Sequence, residues 1–168
     1  TTGSNYTSTH YPYTSSSYHY SGGYSAYFYG TSAYYSYLAS PEFDENVDMS
    51  NLQVRFYAYK TSASYYIQVG VMTDPNDPST FVQVGQNLTP SATSTWEYID
   101  VNTDSYTGTG RYIAFRIPAV STSYMYIDDI EVDVIPVCLH VDNIQVTNIT
   151  TTTADLSWTV GGDETEWD

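Results

Sequence analysis

NLQVRFYAYK, residues 51–60, alternates apolar side chains with polar or tyrosine side chains along its whole length. One face holds the apolar Leu52, Val54, Phe56 and Ala58. The other holds Gln53, Arg55, Tyr57 and Tyr59. Successive side chains of a β-strand point to opposite faces, so a period of two is the mark of a strand with one buried side. The stretch therefore predicts a half-buried strand.

Further short strands are predicted on both sides of this stretch, because alternating or aromatic runs recur between turn signals. Residues 73–80, TDPNDPST, are a turn, since neither proline can donate to a strand ladder. The strands are predicted within residues 24–30, 32–40, 64–73, 81–85, 96–102, 111–118 and 123–136. Turn signals spaced in this way are typical of an all-β fold built as an antiparallel β-sandwich.

The last of these strands breaks its own alternation. Its inward candidates run from Met125 and Ile127 to Ile130, one residue out of step. An extra residue in one strand of a pair is a β-bulge, which re-aims the neighbouring side chains. We predict a bulge at Asp128–Asp129 that aims a carboxylate.

The charge balance restricts the partners of the chain. It has 19 acidic side chains against four basic ones, for a net charge of −15. Nucleic acids and anionic membranes are excluded as partners, because too few cations are present to neutralise phosphates. No apolar run reaches the roughly 20 residues of a membrane span, so no membrane insertion is expected. This acidity suits a secreted or cell-surface protein.

Tyrosine is the most unusual component of the composition, with 20 copies, 11 of them within residues 1–40. Tyrosines on a solvent-facing sheet are candidates for stacking on sugar rings or for contacts between protein copies, and they also pack under a second layer in some folds. The candidate glycan or interface aromatics are Tyr57, Tyr59, Tyr66 and Trp96.

Three stretches carry a resemblance to known families. YSAYFYG (24–30) with YLASPEFD (37–44), and YMYIDDIEVDV (124–134), resemble jelly-roll modules of the MAM-like or choice-of-anchor J kind, found in large secreted proteins of Bacteroidetes-type bacteria. VDNIQVTNITTTTADLSWTVGGDETEWD (141–168) resembles the opening of a fibronectin type III domain, with Trp158 in the place of that family's buried strand-B tryptophan.

These resemblances divide the chain into three parts. Residues 1–23 are a polar Tyr/Ser/Thr-rich segment, residues 24–136 a jelly-roll-like sandwich, and residues 137–168 the first strands of an incomplete fibronectin type III-like domain. Two strands cannot bury an apolar face by themselves. We therefore expect strands from a neighbouring copy or domain to complete the last part by strand addition.

Two further sites are predicted with alternatives. Asp128 and Asp129 supply hard oxygen ligands of the kind Ca²⁺ prefers, and the jelly-roll resemblance implies a structural Ca²⁺ beside the last strand; alternatively they are solvated acids that protect a sheet edge. Cys138, the single cysteine, is either a small buried side chain or, as the fibronectin resemblance implies, half of a disulfide.

N-glycosylation acceptors are predicted at Asn5, Asn87 and Asn148.

No catalytic residues are predicted, since the histidines lie in loop-like contexts and no nucleophile elbow is present. The leading hypothesis is a non-catalytic extracellular structural or adhesive module, repeated in a surface fibre or a multidomain adhesin. The alternative is a carbohydrate-binding module of a secreted degradative enzyme, and a minor third is a hydrolase fragment.

Overall fold

The computed structural model describes residues 12–31, 35–62, 65–117, 123–136 and 142–161. Their regular structure is β throughout, apart from a three-residue 3₁₀ helix at Pro78–Thr80, which confirms the all-β prediction. The strands are β1 Tyr13–Ser15, β2 Ser25–Gly30, β3 Ser36–Ala39, β4 Leu52–Lys60, β5 Ile67–Met72, β6 Val82–Leu88, β7 Glu97–Asn102, β8 Tyr112–Ile117, β9 Ser123–Val134, β10 Asp142–Thr147 and β11 Asp155–Thr159. No helix among the described residues is long and apolar enough to cross a membrane.

The chain separates into two compact units between Val134 and Ile135. The first unit holds a five-stranded sheet in the order β1-β2-β9-β4-β7 and a four-stranded sheet in the order β3-β8-β5-β6, all pairs being antiparallel. The second unit holds the β10–β11 hairpin. The sheets of the first unit mix strands from distant parts of the sequence, as in a jelly roll.

The core of the first unit lies between its two sheets. Every second residue of β4 faces inward as its alternation predicts, and the ring of Phe56 packs edge-on against Phe115 of β8, with centroids 5.0 Å apart. Burying each such side chain contributes about 1.5–3 kcal/mol to folding. The largest fully buried side chains of this cluster are Phe28, Val54, Phe56, Ile67, Val69, Val71, Ile113, Ile117, Met125 and Ile127. Tyr37 and Met72 are fully buried in a second, smaller cluster.

The predicted bulge in β9 is present. Arg55 pairs with Glu131 and Tyr57 with Asp128, so Phe56 alone faces the two residues Asp129 and Ile130. The extra residue is one position later than predicted, and Asp129 has a φ of +47°. Aspartate tolerates this left-handed conformation better than most residues.

The β10–β11 hairpin has one apolar face. Val146 pairs with Leu156, and Ile144 and Trp158 lie two residues further along on the same face. All four side chains are exposed. The fibronectin resemblance implied a buried Trp158, but its side chain is 38% exposed, because a two-stranded ribbon has no second layer to cover it.

Candidate functional site: an aromatic surface on the five-stranded sheet

The outer face of the five-stranded sheet is covered with aromatic rings. Antiparallel partners share a face, and the register pairs Tyr13 with Tyr27, Tyr27 with Tyr126, and Tyr126 with Tyr59. A continuous row of tyrosines therefore crosses four strands. The aromatic surface comprises this row and its ring contacts: Tyr13, Tyr18, Tyr20, Tyr27, Tyr29, Tyr57, Tyr59, Trp96, Tyr98, Tyr124 and Tyr126.

Neighbouring rings of the aromatic surface are in direct contact. The centroids of Tyr27 and Tyr126 are 4.8 Å apart, those of Tyr59 and Tyr126 5.8 Å, and those of Tyr59 and Trp96 5.4 Å. These distances lie in the range where aromatic pairs attract, and each pair contributes about 0.5–1.5 kcal/mol beyond the area it buries. The surface is therefore a rigid, cross-supported layer.

The β1–β2 loop, residues 16–24, places a second layer of rings on this surface. Tyr20 lies on Tyr57 with a centroid distance of 3.5 Å and an interplanar angle of 12°. Tyr18 lies on Tyr59 at 4.8 Å. Tyr57 and Tyr59 thus form a supporting layer, while Tyr18, Tyr20 and Tyr98 are 40, 46 and 50% exposed.

The bulge in β9 holds this loop in place. Oδ2 of Asp128 accepts hydrogen bonds from the backbone N–H groups of Tyr20, at 2.8 Å, and Ser21, at 3.2 Å. The Ser21 hydroxyl donates to Oδ1 of Asp129 at 2.5 Å. At the start of β2, the Ser25 hydroxyl donates to the carbonyl of Tyr18 in the loop. The re-aimed carboxylates therefore anchor the loop that carries the two upper rings.

Contacts within the surface raise the pKa of several of its tyrosines. Burial and the neighbouring phenol of Tyr13 raise the pKa of Tyr27 well above its ordinary value. A hydrogen bond with Tyr20 and loss of water raise the pKa of Tyr57, and burial raises that of Tyr126. Each neutral phenol both donates and accepts a hydrogen bond, which suits a polyhydroxylated ligand.

The same face turns acidic towards the beginning of β4. Nη2 of Arg55 lies 3.4 Å from Glu131 and 3.7 Å from Asp133, its neighbours on β9. On the other side, Oδ2 of Asp100 in β7 accepts a hydrogen bond of 2.8 Å from Nε2 of Gln53. Asp100, Glu131 and Asp133, which we call the acidic strip, lie beside the rings.

Three of the four predicted aromatics meet on this surface: Tyr57, Tyr59 and Trp96. Tyr66 directly precedes β5 of the other sheet, and among the described residues its neighbour Tyr65 makes the ring contact instead, 5.9 Å from Tyr124. Sequence reasoning assigned Tyr18 and Tyr20 to the polar segment of residues 1–23 and not to this sheet. The two-residue spacing of Tyr18 and Tyr20 was the signal that could have indicated that their rings lie on one side of the chain.

The predicted calcium ligands take part in loop anchoring. Both oxygens of Asp128 accept backbone N–H groups, one of them that of Asp129 at 2.9 Å. Ca²⁺ takes about six to eight oxygen ligands, and nowhere in the described ranges do three His, Cys, Asp or Glu side chains converge. The geometry fits an anchor better than a metal centre, and Ca²⁺ binding at Asp128 and Asp129 stays a prediction.

The remaining predicted sites also stay predictions. Asn5 and Cys138 lie outside the described residues. Asn87 is exposed on β6, where its Oδ1 accepts a 2.8 Å hydrogen bond from Gln68. Asn148 follows β10 with a φ of +49°, and its Nδ2 donates to Asp155 at 2.8 Å.

A cavity of about 310 Å³ lies between residues 47–50 and 106–111, away from the aromatic surface. Its charged groups are held by their own loops. Arg111 donates to the carbonyls of Phe43 and Val47, and the hydrogen bonds from Ser50 lower the pKa of Asp48. These contacts give the cavity a structural role in joining the loops.

Comparison with known proteins identifies the fold. No protein-family model matches the sequence, and no curated protein matches it either. Among solved structures, the chain is similar to the K2 cleaved adhesin domain of Lys-gingipain, with 17% identity, a TM-score of 0.57, and coverage of 77% of this chain and 87% of that one. The K1 cleaved adhesin domain of Lys-gingipain from Porphyromonas gingivalis W83 is 19% identical with a TM-score of 0.54, and the match covers 76% of this chain and 85% of that one.

A carbohydrate-binding module shares the same fold. The family 30 module of a cellulosomal cellulase of Clostridium thermocellum is 11% identical, with a TM-score of 0.53, and the match covers 73% of this chain and 82% of that module. At these identities the likeness concerns the fold, and it supports the predicted β-sandwich. The finer resemblances to MAM-like, choice-of-anchor J and fibronectin type III modules stay predictions.

Proposed function

We propose that this chain is an extracellular, non-catalytic binding module that holds glycan chains on its aromatic surface. The observation that carries the proposal is the set of exposed rings of Tyr18, Tyr20 and Tyr98, mounted on a rigid layer of further tyrosines. A sugar ring offers a flat C–H face for packing on a tyrosine and hydroxyl groups for its phenol oxygen. Such rings at a solvent-facing sheet suit an extended polysaccharide.

The two-layer arrangement assigns different tasks to the rings. Tyr20 covers the face of Tyr57, and Tyr18 covers that of Tyr59, so the upper rings contact the ligand and the lower ones support them. Trp96 lies at the edge, 6.1 Å from Tyr20. Losing an upper ring removes a ligand contact, whereas losing a lower ring tilts its upper partner.

The structural neighbours support the same class of protein. Two are named adhesin domains and one a carbohydrate-binding module, and each shares the sandwich fold with this chain. Those descriptions belong to those proteins, and they favour an extracellular binding role for this one. The net charge of −15 fits the same setting.

Affinity electrophoresis through gels containing a panel of polysaccharides tests the proposal. The affinity derived from the retardation should fall about tenfold or more in the Tyr20→Ala, Tyr98→Ala double variant, which corresponds to about 1.4 kcal/mol of binding free energy. Tyr35→Ala is the matched control, because Tyr35 is exposed to a similar degree next to β3 of the other sheet. Equal retardation of the wild type and the double variant on every polysaccharide that is bound would refute the assignment to this surface.

We also propose a second role, that of a structural or adhesive unit completed by neighbouring strands. The exposed apolar face of the β10–β11 hairpin favours it, since an uncovered apolar ribbon gains stability from added strands. We expect the wild type to self-associate in analytical ultracentrifugation and to form fibres under negative stain, and Leu156→Lys should weaken both. Ser157→Lys, on the opposite face of the same strand, is the control. A monomeric wild type at high concentration would contradict completion by a second copy.

A further inference from the structure

The acidic strip shares the outer face of the sheet with the exposed rings. Tyr98 and Asp100 lie two residues apart on β7, and such residues point to the same side of a strand at a separation of about 7 Å. Arg55 pairs with Asp100 on one side and with Glu131 on the other. A ligand stacked on Tyr98 therefore reaches the carboxylate of Asp100.

Negative charge exceeds positive charge on this face. All four basic residues of the chain are described, and Arg55 alone is on it: Lys60 is buried and donates to Thr89, while Arg111 and Arg116 belong to the region of β8. Glu131 and Asp133 neutralise Arg55. The hydrogen-bond partner of Asp100 is the neutral amide of Gln53, so its charge is not compensated there.

Besides its tyrosines, the loop adds one imidazole, and the bulge adds two carboxylates. His19 is exposed in the β1–β2 loop, and Asp128 and Asp129 stand opposite Tyr57 and beneath Ser21. Both aspartates accept hydrogen bonds from neutral N–H or O–H groups. The rings are thus bordered by carboxylates on two sides.

We infer that the ligand of the aromatic surface is an amino-sugar polymer with free ammonium groups. This inference rests on the proposed function and names its substrate class. A glucosamine unit has a flat face that packs on a tyrosine ring and an ammonium group that pairs with a carboxylate or lies over a phenol ring. A single glucosamine unit therefore contacts both an exposed ring and a carboxylate of the surface. An acetylated or neutral sugar uses only the rings, and a uronate is repelled.

Each ion pair between an ammonium group and a carboxylate contributes modestly to affinity, and the contributions add up along a polymer. An exposed ion pair changes affinity by about two- to fivefold. Two such contacts along a bound oligosaccharide give about a tenfold preference for the charged ligand at low salt. Because these contacts are open to solvent, the preference falls steeply once the screening length drops to a few ångströms, at about 1 M salt.

Isothermal titration calorimetry with four hexasaccharides tests the inference: the hexamers of glucosamine, N-acetylglucosamine, glucose in β-1,4 linkage, and galacturonic acid. At a pH of about 6 and low salt, the glucosamine hexamer should bind about tenfold more tightly than the neutral ones. Asp100→Asn should reduce that preference about two- to fivefold while leaving the neutral affinities unchanged. Glu42→Gln, which removes one charge beside Tyr112 on the other sheet, is the control.

The outcomes separate the two proposals. Equal affinities for the glucosamine and neutral hexamers, or tighter binding of the galacturonate, would overturn the amino-sugar inference and leave glycan binding intact. Failure of the folded protein to bind any hexamer or any polysaccharide would overturn the proposed function as well. A hexalysine peptide that binds as tightly as the glucosamine hexamer, with no loss in Tyr20→Ala, would show that charge alone acts and would also overturn the inference.

Discussion

The ring of Tyr20 lies almost parallel on the ring of Tyr57, with centroids 3.5 Å apart, and the backbone N–H of Tyr20 donates to Asp128, the strand partner of Tyr57. One short loop is thus fixed at two neighbouring points, through a side chain and through the backbone. The stacked ring and the anchored amide hold each other in position. The position of the exposed Tyr20 ring depends on this pairing.

Removing the anchor should loosen the loop. Asp128→Ala leaves the N–H groups of Tyr20 and Ser21 without their charged acceptor, and we expect the free energy of unfolding to fall by about 1–3 kcal/mol. Hydrogen exchange at these two amides should accelerate more than exchange in β4. Asp133→Ala is the control, because its exposed ion pair with Arg55 contributes less than about 1 kcal/mol. Unchanged protection at Tyr20 in Asp128→Ala would contradict the anchor.

Adding calcium distinguishes the two roles that Asp128 and Asp129 could have, loop anchor and metal ligand. A ligand that binds only the folded state raises the unfolding temperature with its concentration. Since the oxygens of Asp128 are occupied by N–H groups, we expect millimolar CaCl₂ or EDTA to leave the unfolding temperature of the wild type unchanged. A calcium-dependent rise that disappears in Asp128→Ala would instead establish the predicted metal site.

The tyrosine layer should make the protein sensitive to alkali. The pKa of Tyr27 is raised in the folded state above its ordinary value of 10.0. A raised folded pKa contributes stability that is fully present below the unfolded value and is lost as the pH rises towards the folded value. Urea unfolding between pH of about 8 and 11 should therefore show stability falling above pH of about 10. The fall should be smaller in Tyr27→Phe and unaltered in Tyr24→Phe, whose ring is 67% exposed.

Local alternation sufficed to predict the framework of this surface. The period of two in β4 placed Phe56 inward and Tyr57 outward, and the lost step after Ile127 located the bulge to within one residue. Both signals are local, because the pleat of a strand fixes the side of every residue. Tyr59 was found for the same reason, whereas Trp96 was named because it opens the strand predicted over residues 96–102.

The upper layer was beyond this reasoning, because it depends on contacts between distant segments. Tyr20 and its anchor Asp128 are 108 positions apart, and only the β2–β9 pairing brings them together. Alternation placed Tyr57 on the outer face and left open whether it contacts a ligand, a protein copy or a second layer, and in the structure Tyr20 of the loop covers it. Tyr66 illustrates the other limit, because it directly precedes β5, which belongs to the other sheet, and alternation does not show which sheet a strand joins.

The conformation of Asp129 gives a final test of the bulge. Its φ of +47° costs an ordinary L-residue about 1–2 kcal/mol, and more for a β-branched side chain. We therefore expect Asp129→Val to lower the free energy of unfolding by about 2 kcal/mol or more, and Asp129→Asn to lower it by less than 1 kcal/mol, since asparagine tolerates this region. Glu131→Val, in regular strand geometry two residues later, should be nearly neutral, because valine favours strands and the lost ion pair is exposed. Equal losses for the two valine variants in urea titrations would mean that β9 relaxes to a regular strand, and the carboxylates at the bulge would then no longer be directed at the loop.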